Sequence, residues 1–203
     1  MNGYKTVIGE TETVTVIERS KFICSLKGVD SEEDAKEYIN FIRKKYPTAN
    51  HNCYAYIADE KGLTQKFSDA GEPQGTAGMP MLNVLKLQGI YKTVAVVTRY
   101  FGGIKLGAGG LTRAYGGAVA GALEKADVRE LYAAEFFTLC MPYARHKKFL
   151  SVFGGAIIST EYSDGVTVKI AVKAEDAGTV DAVSDALCGE IKITPSGKGY
   201  FAF

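Results

Sequence analysis

The sequence predicts an α+β protein of two domains, and three observations support this prediction. The chain has 203 residues, which is enough for two small domains. Up to about residue 134, strand-like and helix-like patterns follow one another in a mixed order, with glycine-rich loops between them. Beyond that point the order is β-α-β-β-α-β, which is that of a ferredoxin-like domain. We therefore expect one domain over 1–134 and a second over 135–203.

The first domain opens with strands and a capped helix. β-branched residues dominate an alternating pattern over 11–17, and a similar pattern continues over 22–26, so both segments are predicted to be strands. Ser31 and the three acidic residues after it predict a helix start, because a hydroxyl caps free N–H groups and acids suit the positive end of the helix dipole. The helix is expected to end before Pro47, and the next strand to cover 51–58.

Two glycine-rich loops in this domain each lead into a helix. The first loop, 68–76, precedes a helix through 81–87, with Pro80 in the first turn, where its missing N–H costs nothing. The second loop, 101–110, holds five of the 23 glycines and precedes a helix over 111–126. The valine-rich stretch 93–100 lies between the two and predicts a strand buried on both faces.

The second domain has its own succession of elements. Its hairpin is predicted by the turn sequence Ser163-Asp164-Gly165 between two β-branched runs. The predicted elements are a strand over 136–141, a helix over 143–153, strands over 156–161 and 166–172, a helix over 175–187, a strand over 190–194 and an additional strand over 199–203.

Composition excludes several classes of protein. Hydrophobic residues make up 46% and charged residues 23% of the chain, as in an ordinary globular protein. The four cysteines form no C-x-x-C pair and match no zinc spacing, which predicts reduced, mostly buried thiols and no metal site. The N-terminal region lacks the apolar core of a signal peptide, and no apolar run approaches the roughly 18 residues of a membrane span. We expect a cytoplasmic protein with no membrane partner and no cofactor.

Charge is distributed unevenly although the formal net charge is only +1. No Asp or Glu occurs from Pro73 to Leu123. The cations of that stretch are Lys86, Lys92, Arg99, Lys105 and Arg113. The first domain is therefore expected to carry any positive surface of the protein.

The glycine-rich loops and these cations together suggest an anion-binding site. A loop that opens a helix exposes backbone N–H groups beside the positive end of the helix dipole. We place Arg113 in the first turn of the second helix, Arg99 at the end of a buried strand and Lys105 in the loop between them, so that the three can converge. Two alternatives remain open: the glycines serve close packing or turns, and Arg99 forms a structural ion pair with Asp69 or Glu72.

Motifs for catalysis are absent from the sequence. There is no P-loop, no H-E-x-x-H and no G-x-S-x-G, and Thr112 occupies the position of the last glycine in a partial dinucleotide motif. His51 and Cys53 can be neighbours on one face of a strand, but a buried structural cysteine is the preferred interpretation. Asp69 and Glu72 lie in a Gly/Pro turn, where acids more often cap backbone groups than act as an acid pair. No catalytic residue is predicted, and enzymatic activity is left uncertain.

Two segments resemble a known family. Residues 67–80 resemble its D-x-G-E-P-x-G-T-A-G-x-P signature, and residues 97–115 resemble V-T-R-Y-F-G-G-x-K-L-G-x-G-G-L-x-R-A-Y. Both are signatures of the YigZ/IMPACT family, and the resemblance covers about the first 130 residues. It implies a ribosomal-protein-like first domain with a left-handed β-α-β crossover, similar to the fourth domain of elongation factor G. The second domain resembles the ferredoxin-like tail of bacterial members, which is similar to the fifth domain of that factor.

The resemblance implies a regulator of translation or of a stress response rather than an enzyme. We expect a non-catalytic protein that binds RNA, the ribosome or the translation machinery. The residues assigned to anion or nucleic-acid binding are Arg99, Lys105, Arg113, His51, Tyr100, Gly107, Gly109 and Gly110, and those assigned to loop structure are Asp69, Glu72, Gly75 and Thr76. One alternative is an enzyme or sensor that binds a small phosphate or nucleotide on the same loops. Another is an adaptor that binds a protein partner through 135–203.

Overall fold

A computed structural model describes residues 3–203, which form two compact units over 3–130 and 131–203. In chain order, the elements are β1 (Gly3–Val7), β2 (Glu10–Ile17), β3 (Ser20–Gly28), α1 (Glu32–Lys45), β4 (His51–Ile57), β5 (Gln65–Ser68), α2 (Gly78–Leu87), β6 (Thr93–Tyr100), α3 (Gly107–Leu123), β7 (Val128–Met141), α4 (Tyr143–Val152), β8 (Ala156–Tyr162), β9 (Val166–Lys173), a short 3-10 turn (Ala174–Asp176), α5 (Thr179–Ala186) and β10 (Lys192–Phe201). The transition between the units falls within β7. The domain boundary near residue 134 stays a prediction.

The first unit is built around a five-stranded sheet with the order β2-β3-β6-β4-β5. β3 and β4 both run antiparallel to the central strand β6, so they are parallel to each other. The helix α1 connects them and packs over β6, which gives a β-α-β unit. The left-handed sense of its crossover stays a prediction. The mixed α+β class predicted from the sequence is confirmed.

Helices cover both faces of this sheet. On one face α1 packs over Val94 and Val96 of β6. On the other face α2 and α3 pack over Ala95 and Val97, which alternate with them along the strand. The valine-rich run therefore carries apolar side chains in both directions, as its sequence predicted.

Some elements lie where the local sequence predicts them, and others do not. Ser31 caps α1 by accepting from the N–H of Asp34 at 3.1 Å, as its position in the sequence predicts. β1 was not predicted, because its five residues show little alternation. The predicted start of α3 at residue 111 is wrong, since the helix begins at Gly107. Gly109 and Gly110 lie in its first turn, and their low helix propensity is outweighed by the buried face that begins at Leu111.

The second unit has the predicted β-α-β-β-α-β order, and its antiparallel sheet has the strand order β10-β7-β9-β8. Phe149 of α4, and Val180 and Val183 of α5, pack on Leu139 and Ile170 of the sheet, so both helices lie on one face. The predicted strands over 190–194 and 199–203 are one strand, β10, with an irregularity between Pro195 and Gly197. Across residues 3–203, no helix is long and apolar enough to cross a membrane.

Candidate functional site

The first glycine-rich loop folds around the carboxylate of Asp69. This group accepts hydrogen bonds from the backbone N–H of Gly75 at 2.8 Å, Ala77 at 3.0 Å and Gly78 at 2.8 Å. Two of these donors lie at the N-terminus of α2, which has no cap from its own N-cap residue. The chain's own carboxylate therefore fills the position that an external anion would take. Thr76 lies in the same loop and donates to the carbonyl of Pro73 at 2.6 Å.

Glu72, three residues later, is the centre of a buried polar cluster. Its Oε1 accepts from Nη1 of Arg99 at 2.7 Å and from the hydroxyl of Tyr115 at 2.7 Å. Nη2 of Arg99 donates to Oγ of Ser20 at 3.3 Å. Burial, with Cys53 and Glu72 nearby, raises the pKa of the Tyr115 hydroxyl, so the tyrosine stays protonated and acts as a donor.

Arg99 is therefore part of the interior of the first unit. Its residue surface is only 5% exposed, and its guanidinium carbon lies 5.4 Å from the ring centroids of both Phe22 and Phe101. The ion pair with Glu72 is one of the two alternatives that the sequence leaves open. The assignment of Arg99 to a phosphate contact stays a prediction, and its burial does not favour that role.

His51 and Cys53 are both engaged by the backbone of the first loop. Nδ1 of His51 lies 3.0 Å from the carbonyl oxygen of Ala70, and its Nε2 lies 3.9 Å from Oε1 of Glu72. Sγ of Cys53 donates to the carbonyl of Asp69 at 2.9 Å. Burial raises the pKa of the Cys53 thiol to about 12, so it is not a thiolate near neutral pH. This arrangement orders the loop and does not activate a nucleophile.

The thiols differ in accessibility, which can be measured. Cys24 and Cys53 are buried, whereas Cys140 and Cys188 are exposed, so the expectation of mostly buried thiols holds for only half of them. Burial also raises the pKa of Cys24. We expect a chromogenic disulfide reagent at pH 8 to titrate two thiols rapidly in the native protein and all four in denaturant. Rapid reaction of three or four thiols in the native protein would contradict this arrangement.

The second glycine-rich loop approaches the turn between β2 and β3 very closely. A Cβ atom on Gly102 would lie 2.0 Å from the backbone carbon of Arg19 and 2.2 Å from its oxygen, so only glycine fits there. The N–H of Gly102 also donates to Oγ of Ser20 at 3.1 Å. Ser20 thereby links this loop to the buried cluster through Arg99.

The N-terminus of α3 differs from that of α2 because no side chain of the described residues caps it. Its N-cap residue, Leu106, forms no side-chain hydrogen bond, and its first turn contains no acidic residue. Gly107, with a φ of +67°, begins the helix, and Gly109 and Gly110 follow. The N–H groups of this turn, which have no acceptors within the helix, therefore have no side-chain cap.

Lys105 and Arg113 lie beside this uncapped N-terminus. Both are exposed, and together with Glu18, Ile104 and Gly110 they line an open cleft of about 550 Å³. Among residues 3–203, neither cation forms an ion pair or a hydrogen bond to an acid. The structure thus brings two of the three predicted cations together at one surface and places Arg99 in the interior.

The position of Arg113 differs from the one we predicted. Because α3 begins at Gly107, Arg113 lies about 9 Å along the helix axis from its start rather than in the first turn. The helix dipole acts mainly within the first turn, so it does not oppose the charge of Arg113 at this distance. The position of Arg113 is explained instead by its exposure at the cleft.

The remaining predicted residues lie around the cleft and the loop. Tyr100 is half-buried at the end of β6, and Phe101, which follows it, is 46% exposed. Tyr115 and Ser20 belong to the buried cluster but were not predicted as part of a site. The sequence feature that could have identified Tyr115 is its position on the apolar face of a helix, because a buried tyrosine hydroxyl needs a hydrogen-bond partner. Among the described residues, no group of three or more His, Cys, Asp and Glu side chains could hold a metal ion.

Comparison with known proteins identifies the family. The profile of the Impact N-terminal domain matches residues 18–123, which is more than half of the chain. The chain belongs to the IMPACT family. The region matched contains both glycine-rich loops, the buried cluster of Glu72 and Arg99, and the cleft at the start of α3.

Several relatives of known sequence or structure extend this family match. IMPACT family member YvyE of Bacillus subtilis is 52% identical over 130 residues, which is 64% of this chain and 60% of that protein. IMPACT family member YigZ of Escherichia coli is 39% identical over 169 residues, covering 79% of this chain and 83% of its own. A crystal structure of a hypothetical protein is similar over 95% of this chain and 97% of its own, with 34% identity and a TM-score of 0.64. The two-domain translational regulator Yih1 matches 56% of this chain and 47% of its own, with 25% identity and a TM-score of 0.40.

Proposed function

We propose that this protein binds RNA of the translation machinery through the N-terminus of α3 and the cations Lys105 and Arg113, and that it regulates translation without catalysing a reaction. One observation carries the proposal. The N-terminus of α2 is filled by Asp69, whereas that of α3 has no side-chain cap from residues 3–203 and lies beside two cations that form no ion pair within that range. Such a surface suits a phosphate group.

The number of charges at this surface predicts the character of the binding. Two cations contact few phosphates, so the affinity should be modest, should fall with salt and should depend little on sequence. Glu18 also lines the cleft and reduces its positive potential. Phe101, exposed at the start of the loop, offers a ring on which an unpaired base can stack.

The translational context rests on family membership and on the resemblance of the two domains to domains of elongation factor G. A shared fold does not determine a function, so this part of the proposal needs the binding experiment more than the structural comparison. The location of the site is inferred from the cleft, and the class of partner is inferred from the family.

Fluorescence anisotropy with a labelled single-stranded RNA across a salt series tests the proposal. We expect the wild type to bind at low salt. We expect Lys105→Ala/Arg113→Ala to bind more weakly, with a salt dependence shallower by about 0.7 units for each phosphate contact removed from a single strand. Lys44→Ala/Lys86→Ala is the matched control, because it removes two exposed lysines elsewhere in the first unit. Absence of binding by the wild type, or equal losses in the two double variants, would overturn the proposal.

The volume of the cleft supports a second candidate function. About 550 Å³ is a size typical of a small-molecule pocket, so the ligand can be a free nucleotide or a sugar phosphate. A thermal-shift screen separates the two candidates. A saturable rise in melting temperature with one small phosphate, lost in Lys105→Ala/Arg113→Ala, favours an enzyme or sensor. The hypothesis of a protein partner bound through 135–203 stays a prediction.

A further inference from the structure

The second unit has a sheet face that none of its own helices covers. Phe149 of α4 and Val183 of α5 pack against Leu139 and Val168, so both helices occupy the side of the sheet to which these residues point. Side chains alternate along a strand, so the neighbours of these residues point to the opposite face. We call this opposite side of β10-β7-β9-β8 the open face.

The strand register shows which residues share the open face. Directly paired residues point to the same side of a sheet. One row across the four strands consists of Lys192, Cys140, Thr167 and Glu161, and the adjacent row consists of Thr194, Thr138, Lys169 and Ser159. The open face is therefore polar, with two lysines and four hydroxyl groups in these two rows.

The charged residues differ between the two sides of this unit. The helical side carries both signs: the 3-10 turn and α5 contribute four acids, and α4 contributes three cations, which are Glu175, Asp176, Asp181 and Asp185 against Arg145, Lys147 and Lys148. The two rows of the open face carry Lys169 and Lys192, both exposed, and one acid, Glu161, on the edge strand β8. Among residues 3–203, neither lysine forms an ion pair. The two rows of the open face thus hold a small excess of positive charge, carried by two lysines that are available to an anionic partner.

An aromatic ring lies beside the lysines. Phe136 precedes Thr138 and Cys140 by two and four residues on β7, so it shares their face. It is partly exposed and meets Phe201 edge-on, with the ring centroids 6.3 Å apart. Lys192 on β10 and Lys169 on β9 lie on either side of β7, and their partners on β7 are two residues apart. Their Cα atoms are therefore about 12 Å apart.

We propose that the open face is a second contact surface for single-stranded RNA, with Lys169 and Lys192 on phosphates and Phe136 under a base. Each kind of side chain on this face suits one part of single-stranded RNA. Lysines bind phosphates, hydroxyl groups bond to 2′-hydroxyls, and an aromatic ring stacks on an unpaired base. The inference rests on the proposed function, because it assigns a second surface to the same class of partner. It adds residues of 131–203 that the cleft of the first unit does not include.

The exposed cysteines provide a probe and its control. Cys140 lies on the open face opposite Lys192, whereas Cys188 follows α5 on the helical side. We expect a single-stranded oligouridylate at saturating concentration to slow alkylation of Cys140 by a maleimide several-fold and to leave Cys188 unchanged, as measured by mass spectrometry. Lys169→Ala/Lys192→Ala should abolish the protection and reduce the salt dependence of binding by about 1.4 units, which is about 0.7 for each contact to a single strand. Lys147→Ala/Lys148→Ala, on α4, removes the same charge and should behave as the wild type.

The outcomes separate this inference from the proposed function. If the RNA binds and Lys105→Ala/Arg113→Ala weakens it, but Cys140 is unprotected and Lys169→Ala/Lys192→Ala binds normally, the inference is wrong and the proposed function stands. Equal protection of Cys140 and Cys188 also overturns the inference, because the RNA would then not bind preferentially at the open face. If Lys169→Ala/Lys192→Ala alone weakens binding, the open face is supported and the cleft is not. If the wild type binds no RNA at low salt, both are wrong.

Discussion

Replacement of Arg99 by methionine is expected to lower the free energy of unfolding by about 3–5 kcal/mol, which is the usual cost of removing one partner from a buried ion pair. Glu72 would keep the hydroxyl of Tyr115 as a donor but lose the cation that balances its charge. Its side chain is only 3% exposed, so water cannot readily replace the guanidinium. Ser20 would lose a donor as well.

Urea denaturation followed by circular dichroism measures this effect, and two variants serve as controls. Arg129→Met breaks the exposed pair with Asp127 and should leave the unfolding midpoint unchanged. Glu72→Gln/Arg99→Met removes both charges and should be less destabilised than Arg99→Met alone, because no buried charge is left unpaired. If Arg99→Met unfolds at the wild-type midpoint, the ion pair does not stabilise the first unit as described.

Gly102→Ala is expected to destabilise the protein by about 3 kcal/mol, at the upper end of the cost of overpacking. The new Cβ would lie 2.0 Å from the backbone of Arg19, and a backbone atom cannot move away by a change of rotamer. The second glycine-rich loop must therefore shift, and the hydrogen bond from Gly102 to Ser20 is lost. Because Lys105 lies on this loop, RNA binding should weaken together with stability.

Gly117→Ala is the matched control for this substitution. Gly117 lies within α3, and a Cβ there would meet no atom within 4 Å. Alanine should stabilise the helix by about 0.5–1 kcal/mol, because glycine loses more backbone freedom on folding. Thermal unfolding of the two variants should therefore shift in opposite directions. A Gly102→Ala variant as stable as the wild type would show that the loop does not need this close approach to β3.

The difference between predicted and observed elements follows from the range of the interactions involved. The cap at Ser31, the stop at Pro47 and the buried run of β6 depend on neighbours in sequence, so the sequence predicts them correctly. The start of α3 was misplaced, because the glycines at 109 and 110 oppose a helix locally. The packing of Leu111 and Tyr115 against the sheet overrides that preference.

The family, the α+β class, the ferredoxin-like order of the second unit and the stretch without acids can all be recognised from the residues alone. Which cations face solvent depends on how the chain folds. Arg99 pairs with Glu72, which lies 27 residues away in the sequence. Lys105 and Arg113 form no ion pair with any residue of 3–203, although Glu18 lines the same cleft. Burial and long-range pairing depend on how separate elements pack, and a count of charges along the chain contains no information about either.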